Sequence, residues 1–224
     1  MFETQKTNAI RGSKFIEKYL TGKLIDIGAG NDLVCEWAER FDIEDGDANH
    51  ILQHRAASSY DAVHSSHCLE HMHDPEAALK QWWDLLKPGG FLVVVVPDED
   101  LYEQGMWPSR FNGDHKVTFR LDSDASWSPV SHDIRKLVSA LPNCRVISAE
   151  RQDQGYDYRL KMPFGAVIRN IRGYRRLRVY AKRVPVLGNH VEGWLERFGV
   201  RLGMPVDQTG KCAVAQIQVV AQRT

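Results

Sequence analysis

The stretch Lys23-Leu24-Ile25-Asp26-Ile27-Gly28-Ala29-Gly30-Asn31-Asp32 constrains the chain more than any other. Leu24, Ile25 and Ile27 read as a short buried strand. Gly28 and Gly30 let the backbone turn sharply and leave the main chain open to a ligand. Asn31 or Asp32 is then placed to cap a short helix over 33–39. Strand, glycine turn and helix make the nucleotide end of a βαβ unit, although a bare GxG also occurs in turns that bind nothing.

The remaining periodicities extend that unit into a sheet. Phe15, Ile16, Tyr19 and Leu20 recur at helical spacing ahead of the first strand, and Thr21-Gly22 stops them. A minimal second strand is expected at 41–43, followed by the acidic loop Glu44-Asp45-Gly46-Asp47-Ala48-Asn49. A third strand, 60–66, ends in small polar residues. Asp74-Pro75 opens a helix with an aspartate cap and proline at its first position. Leu79, Trp82, Trp83 and Leu86 line its inner face, and Glu76 with Lys80 is expected as an i,i+4 pair. Phe91 to Val96 is an unbroken apolar run, the mark of a central parallel strand covered on both faces. A helix over 131–141 and strands at 145–150 and 214–220 complete the pattern. The expectation is an α/β, Rossmann-like, doubly wound, seven-stranded and mostly parallel sheet, with helices on both faces.

At 224 residues, the chain fits a single domain over 1–224. Two segments interrupt the alternation. Residues 98–130 are long and irregular, which suits a cover over an active site. Residues 158–211 form a basic helical insertion before the last strand. Between Arg159 and Arg201 there are eleven Lys/Arg against Glu192 and Glu196, hidden within a formal net charge of zero. Phe164, Val167, Ile168, Ile171, Tyr174 and Leu177 recur there at helical spacing among five arginines. A solvated basic face on a packed helix is the plain reading. Peripheral contact with the inner membrane, or with an anionic carrier, is the functional one. No RNA-binding signature supports a nucleic-acid partner. Cys35, Cys68, Cys144 and Cys212 show neither CxxC pairing nor metal-ligand rhythm, which suits reduced thiols in the cytoplasm. The polar start Met1-Phe2-Glu3-Thr4-Gln5-Lys6 has no apolar signal core, and no run reaches membrane-span length.

The glycine turn lacks the third glycine of G-x-G-x-x-G, and Asp32 would repel a pyrophosphate placed there. A ligand with ribose and adenine but no phosphate avoids that conflict. Asp26-Ile27-Gly28-Ala29-Gly30, Gly46-Asp47-Ala48, Ser66-His67-Cys68-Leu69-Glu70-His71 and Leu86-Lys87-Pro88-Gly89-Gly90, in this order and spacing, resemble the class I S-adenosylmethionine-dependent methyltransferases. The similarity covers about residues 20–150 and is greatest to small bacterial members with paired LEH and LKPGG motifs. The resemblance implies S-adenosyl-L-methionine as cofactor. It implies that Asp26, Gly28, Ala29 and Gly30 hold the methionine end, that Asp47 and Ala48 lie against adenine, and that Ser65, Ser66, His67 and His71 border the methionine and methyl groups. An acidic residue after the second strand would grip the ribose. Asp42 is preferred for that role, although a spacing of about 20 residues from the turn points to Asp47.

In-line displacement at a sulfonium methyl needs alignment and a dry site, and an oxygen or nitrogen acceptor must also lose a proton. Within Arg110-Phe111-Asn112-Gly113-Asp114-His115-Lys116, Asp114 and His115 are candidates for base and orienter, and Arg110 or Lys116 for binding an anionic substrate. The plain alternative is a surface turn with a solvated histidine. His64, His67, His71 and His73 crowd one stretch and would suit zinc, but strand and loop geometry divides them, so no metal is expected. The acidic loop lacks calcium-loop spacing. A small-molecule or glycan acceptor, specifically a sugar hydroxyl in surface-polysaccharide synthesis, follows by analogy with the same subgroup. Two competing readings are an NAD(P)-linked oxidoreductase, which lacks its Tyr-x-x-x-Lys pair, and an idle methyltransferase fold serving as a membrane or partner module.

Overall fold

The computed structural model describes residues 3–163, 165–166, 188–210 and 212–224. Its helices are α1 (Glu3–Arg11), α2 (Ser13–Tyr19), α3 (Pro75–Asp84), α4 (Ile134–Ser139) and α5 (Gly188–Arg201). Its strands are β1 (Leu24–Ile27), β2 (Glu39–Phe41), β3 (Tyr60–Ser66), β4 (Leu86–Pro97), β5 (Thr118–Arg120), β6 (Ser131–Asp133), β7 (Cys144–Gln152) and β8 (Gln216–Arg223).

The main sheet runs β2-β1-β3-β4-β8-β7. The first four strands are mutually parallel, and β8 is antiparallel to both its neighbours. Six strands replace the seven expected. The segment after β4 does not feed another strand into this sheet; it makes β5 and β6, which pair with each other. Thus 98–130 is less irregular than its composition suggests, and 131–141 divides into β6 and α4.

Both faces of the sheet are covered, as the apolar run in β4 requires. Ile25, Ile27, Val63, Leu92, Val94 and Val96 face α3 and α4 with Trp82 and Trp83. Leu24, Ala62, Val93 and Val220 face the other way, toward Leu20 and Phe15. The alternation is the two-residue period of a strand. Asp74 caps α3 by accepting from Ala77 N at 3.0 Å, with Pro75 at the first position. The surface pair on α3 is Lys80 with Asp84 at 2.9 Å, rather than Glu76 with Lys80.

The first crossover departs most from expectation. Residues 28–38 reach β2 without forming the helix over 33–39. Asp26 Oδ2 accepts from Val34 N at 2.7 Å, which pulls this stretch onto β1. Asp32 caps no helix after it; its carboxylate accepts from Thr4 N and Gln5 N, at the start of α1. The second strand begins earlier than expected, leaving Asp42 just beyond its end. The last strand is shifted likewise, to Gln216–Arg223. In the insertion, Leu160, Met162, Val200 and Val206 build a small core of their own. The basic helix expected over 164–177 lies outside the described residues apart from 165–166. No helix among the described residues is long and apolar enough to cross a membrane.

Asp26 and His64 are neighbours on β1 and β3 and both are buried. His64 Nδ1 lies 2.6 Å from Asp26 Oδ1, and its Nε2 lies 3.1 Å from the Arg11 guanidinium. A guanidinium can only donate, so Nε2 accepts and the ring is neutral, with its proton on Nδ1. Burial, together with Arg11, holds the His64 pKa below 6.5 despite Asp26. The unfolded chain therefore binds this proton more readily than the folded one. The contribution of His64 is complete above about pH 6.5 and is lost on acidification, at no more than about 1.4 kcal/mol per pH unit. Thermal melts of the wild type and His64→Asn should differ most above that pH, with the gap narrowing toward pH 5.

Candidate active site

The carboxyl ends of β1, β2 and β3 open onto one cleft of about 710 Å³, within the roughly 300–1,000 Å³ of small-molecule sites. This is the switch point of the sheet, where β2 and β3 lie on opposite sides of β1. Gly28 comes from the end of β1. Asp42 and Ile43 follow β2, and Gly46, Asp47, Ala48 and Asn49 form the next wall. His67, Cys68, His71, Met72 and His73 follow β3, and Asp114 with Lys116 reaches in from the segment after β4.

The glycine turn is not an anion nest. Gly28 N donates to Phe41 O at 2.8 Å, Gly30 N to Asp42 Oδ2 at 2.5 Å and Asp32 N to Ala29 O at 2.9 Å. Those amides are satisfied internally, and no helix N-terminus follows them, so the features that attract a pyrophosphate are absent from this turn. Gly28 itself has φ +75°, and a Cβ there would meet Cys68 Cβ and Sγ at 2.5 Å. The close approach that its glycine permits is made by Cys68.

Asp42 bridges the turn and its own loop, accepting from Gly30 N and from Ile43 N at 2.7 Å. Asp47 accepts from Asn49 N and Nδ2 and pairs with His50 Nδ1 at 3.0 Å. The Asn49 and His50 side chains hold its pKa down at about 2. Ile43, 84% exposed on the cleft wall, offers an apolar surface that its sequence neighbours do not announce.

At the inner end of the cleft, Glu70 is 1% exposed and neither of its carboxylate oxygens accepts a hydrogen bond among the described residues. Three imidazoles surround Oε1: His67 Nδ1 at 3.6 Å, His71 Nε2 at 3.9 Å and His115 Nε2 at 3.9 Å. Burial opposes ionisation of Glu70, yet the three rings outweigh it and hold its pKa below the ordinary carboxylate range. His115 is brought here because Lys116 N and Val117 N both donate to Glu70 O.

The structure gathers some of the sequence-derived candidates and separates others. Gly28, Asp42, Asp47, Ala48, His67, His71, Asp114 and Lys116 share the cleft. Asp26 does not line it, being buried and bonded to His64 and Val34. Ala29, Gly30, Ser65 and Ser66 lie behind the lining, with Ser65 Oγ donating to Ile27 O. Arg110 is exposed and outside the lining. Asp114 and His115 do not act on each other as a base and its orienter: Asp114 Oδ2 meets His71 Nδ1 at 3.0 Å, and the partner of His115 Nδ1 is Glu103 Oε1 at 2.7 Å. Glu103 carried no sequence signal, whereas Glu70 stood in plain view within the LEH motif.

Residues 5–137 match the methyltransferase domain family, and the chain belongs to it. Its architecture is that of the class I S-adenosylmethionine-dependent methyltransferases. A SAM-dependent methyltransferase from Archaeoglobus fulgidus superposes with a TM-score of 0.51 at 12% identity, over 98% of this chain and 94% of that one. Phosphoethanolamine N-methyltransferase 2 of Haemonchus contortus, solved with phosphomonomethylethanolamine and S-adenosylhomocysteine, superposes with a TM-score of 0.50 at 12% identity, over 99% of this chain and 52% of that one. No curated protein matches the sequence.

Gly28→Ala forces a side chain into left-handed backbone and into Cys68. It should lower stability by at least the roughly 1–2 kcal/mol of the backbone conformation alone. Cys68→Gly in the same chain should restore part of the loss, and denaturant melts of the single and double variants measure the coupling.

Proposed function

We propose that this chain is an S-adenosylmethionine-dependent methyltransferase acting at an oxygen of a neutral small-molecule or glycan acceptor, with a sugar hydroxyl as the favoured group. The observation that carries the reading is the cleft at the carboxyl ends of β1–β3, walled by aspartates and without a phosphate-binding turn. A cationic ligand with a ribose and a purine fits that donor set, and a dinucleotide does not.

Asp42 is suited to the ribose hydroxyls, since it stands directly after β2 and its carboxylate is fixed by two backbone amides. Its spacing from Gly30 is short because the first crossover holds no helix, so a count calibrated on helical crossovers misplaces the ribose residue. Asp47 and Ala48 are suited to the adenine edge, with Ile43 against its face. When bound, the cofactor supplies an electrophilic methyl whose transfer leaves a neutral thioether. Residues 98–130 contribute Asp114 and Lys116 to the acceptor end and are the segment suited to covering it.

The lining favours a neutral acceptor over the anionic one that Arg110 and Lys116 suggested. It contains three aspartates against one lysine, and Lys116 is paired with Asp114 at 2.9 Å. As the new C–O bond forms and the methyl–sulfur bond breaks, the acceptor proton must leave. Lys116, and then His71, hold the Asp114 pKa below the ordinary carboxylate range, so Asp114 can receive that proton only as a weak base.

Titration calorimetry with S-adenosylhomocysteine should show one site. Asp42→Ala should weaken it by about tenfold or more, the loss of a charge-assisted hydrogen bond, and more than Asp47→Ala does. Absence of binding by the wild type would overturn the reading. Transfer of labelled methyl to nucleotide sugars and cell-surface glycans, set against phosphorylated amines, tests the acceptor class.

A further inference from the structure

We propose that Glu70, His71 and His115 bind one divalent transition-metal ion at the inner end of the cleft, with His67 beside them. No metal was expected from the sequence, because the histidines of 64–73 are divided between strand and loop. The structure does divide them: His64 turns to Asp26 and Arg11 under the other face of the sheet. It also brings in a histidine that the sequence places far away. Glu70, His71 and His115 present ligand atoms that all lie within 4.8 Å of one another, and His67 Nδ1 lies outside that group at 3.6 Å from Glu70 Oε1.

Counting protons and lone pairs carries the argument. His115 Nδ1 faces Glu103 Oε1 at 2.7 Å and His71 Nδ1 faces Asp114 Oδ2 at 3.0 Å, so a ring carrying a single proton holds it on Nδ1 and leaves the Nε2 lone pair toward Glu70. His67 reaches the same state by another route. Gln216 Nε2 donates to Thr7 Oγ1 and Gln152 Oε1, so its Oε1 is the acceptor facing His67 Nε2 at 3.0 Å. The outer nitrogen of His67 is thereby the donor, and Nδ1 faces Glu70. The inner ring nitrogens and a buried carboxylate oxygen converge, so positive charge must lie among them, either as additional ring protons or as one metal ion.

Distance separates a shared proton from a metal. The contacts of 3.6–3.9 Å to Glu70 Oε1 are beyond hydrogen bonds of about 2.7–3.2 Å. Donors each about 2.0–2.2 Å from one ion stand roughly 3–4 Å apart, which the two 3.9 Å distances from Glu70 match, and the rings need close only slightly on the ion. The outer groups fit too: Glu103 and Asp114 are the carboxylates that hold a ligating imidazole in its tautomer and orientation. Imidazole nitrogen selects zinc-like ions over magnesium, which prefers oxygen. His67 and His71 line the cleft, so the ion would face the acceptor. Resting on the methyltransferase reading, the ion would bind the acceptor oxygen and lower its pKa.

The test uses the full chain, stripped with a chelator and free of any histidine tag. Calorimetry with Zn2+ and elemental analysis after dialysis should give one equivalent, Co2+ should develop visible d–d absorption, and Mg2+ should not compete. His71→Ala and Glu70→Gln, checked for fold by circular dichroism, should each lose at least about 100-fold in Zn2+ affinity, and Glu103→Gln roughly 10–100-fold. Failure of the wild type to retain Zn2+ or Co2+ overturns the proposal, as does retention unchanged in the folded variants. Should Glu70→Gln not fold, His71→Ala and Glu103→Gln decide the matter. S-adenosylhomocysteine binding by the metal-free protein is measured alongside. Cofactor without metal removes this proposal alone, and metal without cofactor removes the methyltransferase reading while leaving the ion in place.

Discussion

The buried pair of Asp26 and His64 governs the geometry of everything around the cleft. Side by side on β1 and β3, the two groups would be costly in an apolar sheet if either lacked a partner. Each has two: Asp26 takes His64 and Val34 N, and His64 takes Asp26 and Arg11. The arrangement ties α1 to the sheet from one side and draws the first crossover onto β1 from the other. Because Asp26 is spent on this work, its carboxylate is withdrawn from the cleft. The acidity on the cleft wall comes from Asp42 and Asp47, on the far side of the same crossover.

Much of this was legible in the sequence because it depends on local rules. The Leu92–Val96 run has to be a covered central strand, and Asp74-Pro75 has to open a helix. What failed was decided at a distance. Asn31-Asp32 looks like a helix cap, but the amides that Asp32 caps belong to Thr4 and Gln5, separated by more than twenty residues and set there by tertiary packing. Gly28 reads as space for a ligand and does line the cleft, but Cys68, forty residues on, also needs the space. Spacing rules also assume a helical crossover, and that assumption failed once Asp26 pulled Val34 inward.

The inner end of the cleft shows the same division. His67, Glu70 and His71 are adjacent in sequence, so their meeting was readable. Their chemistry was not, because the tautomer of each ring is set by a remote partner: Gln216 for His67, Asp114 for His71 and Glu103 for His115. A histidine next to a glutamate is ordinarily a salt bridge in waiting. Here the remote partners take the outer nitrogens, and on the metal proposal the inner nitrogens become a donor set.

The two halves of the cleft consequently ask for different ligands. At the outer wall, Asp42 and Asp47 are fixed carboxylates, with Arg40 acting on Asp42 and His50 bonded to Asp47, and their open edges suit a positively charged cofactor with sugar hydroxyls. At the inner end, the one lysine is already neutralised by Asp114, and the remaining groups are nitrogen and oxygen donors. An anionic acceptor would gain little there and would lose its hydration. A neutral hydroxyl would lose less, and it gains acidity if its oxygen is bound to a cation. On the proposed methyltransferase reading, the aspartate-rich wall and the paired Lys116 would both disfavour an anionic acceptor.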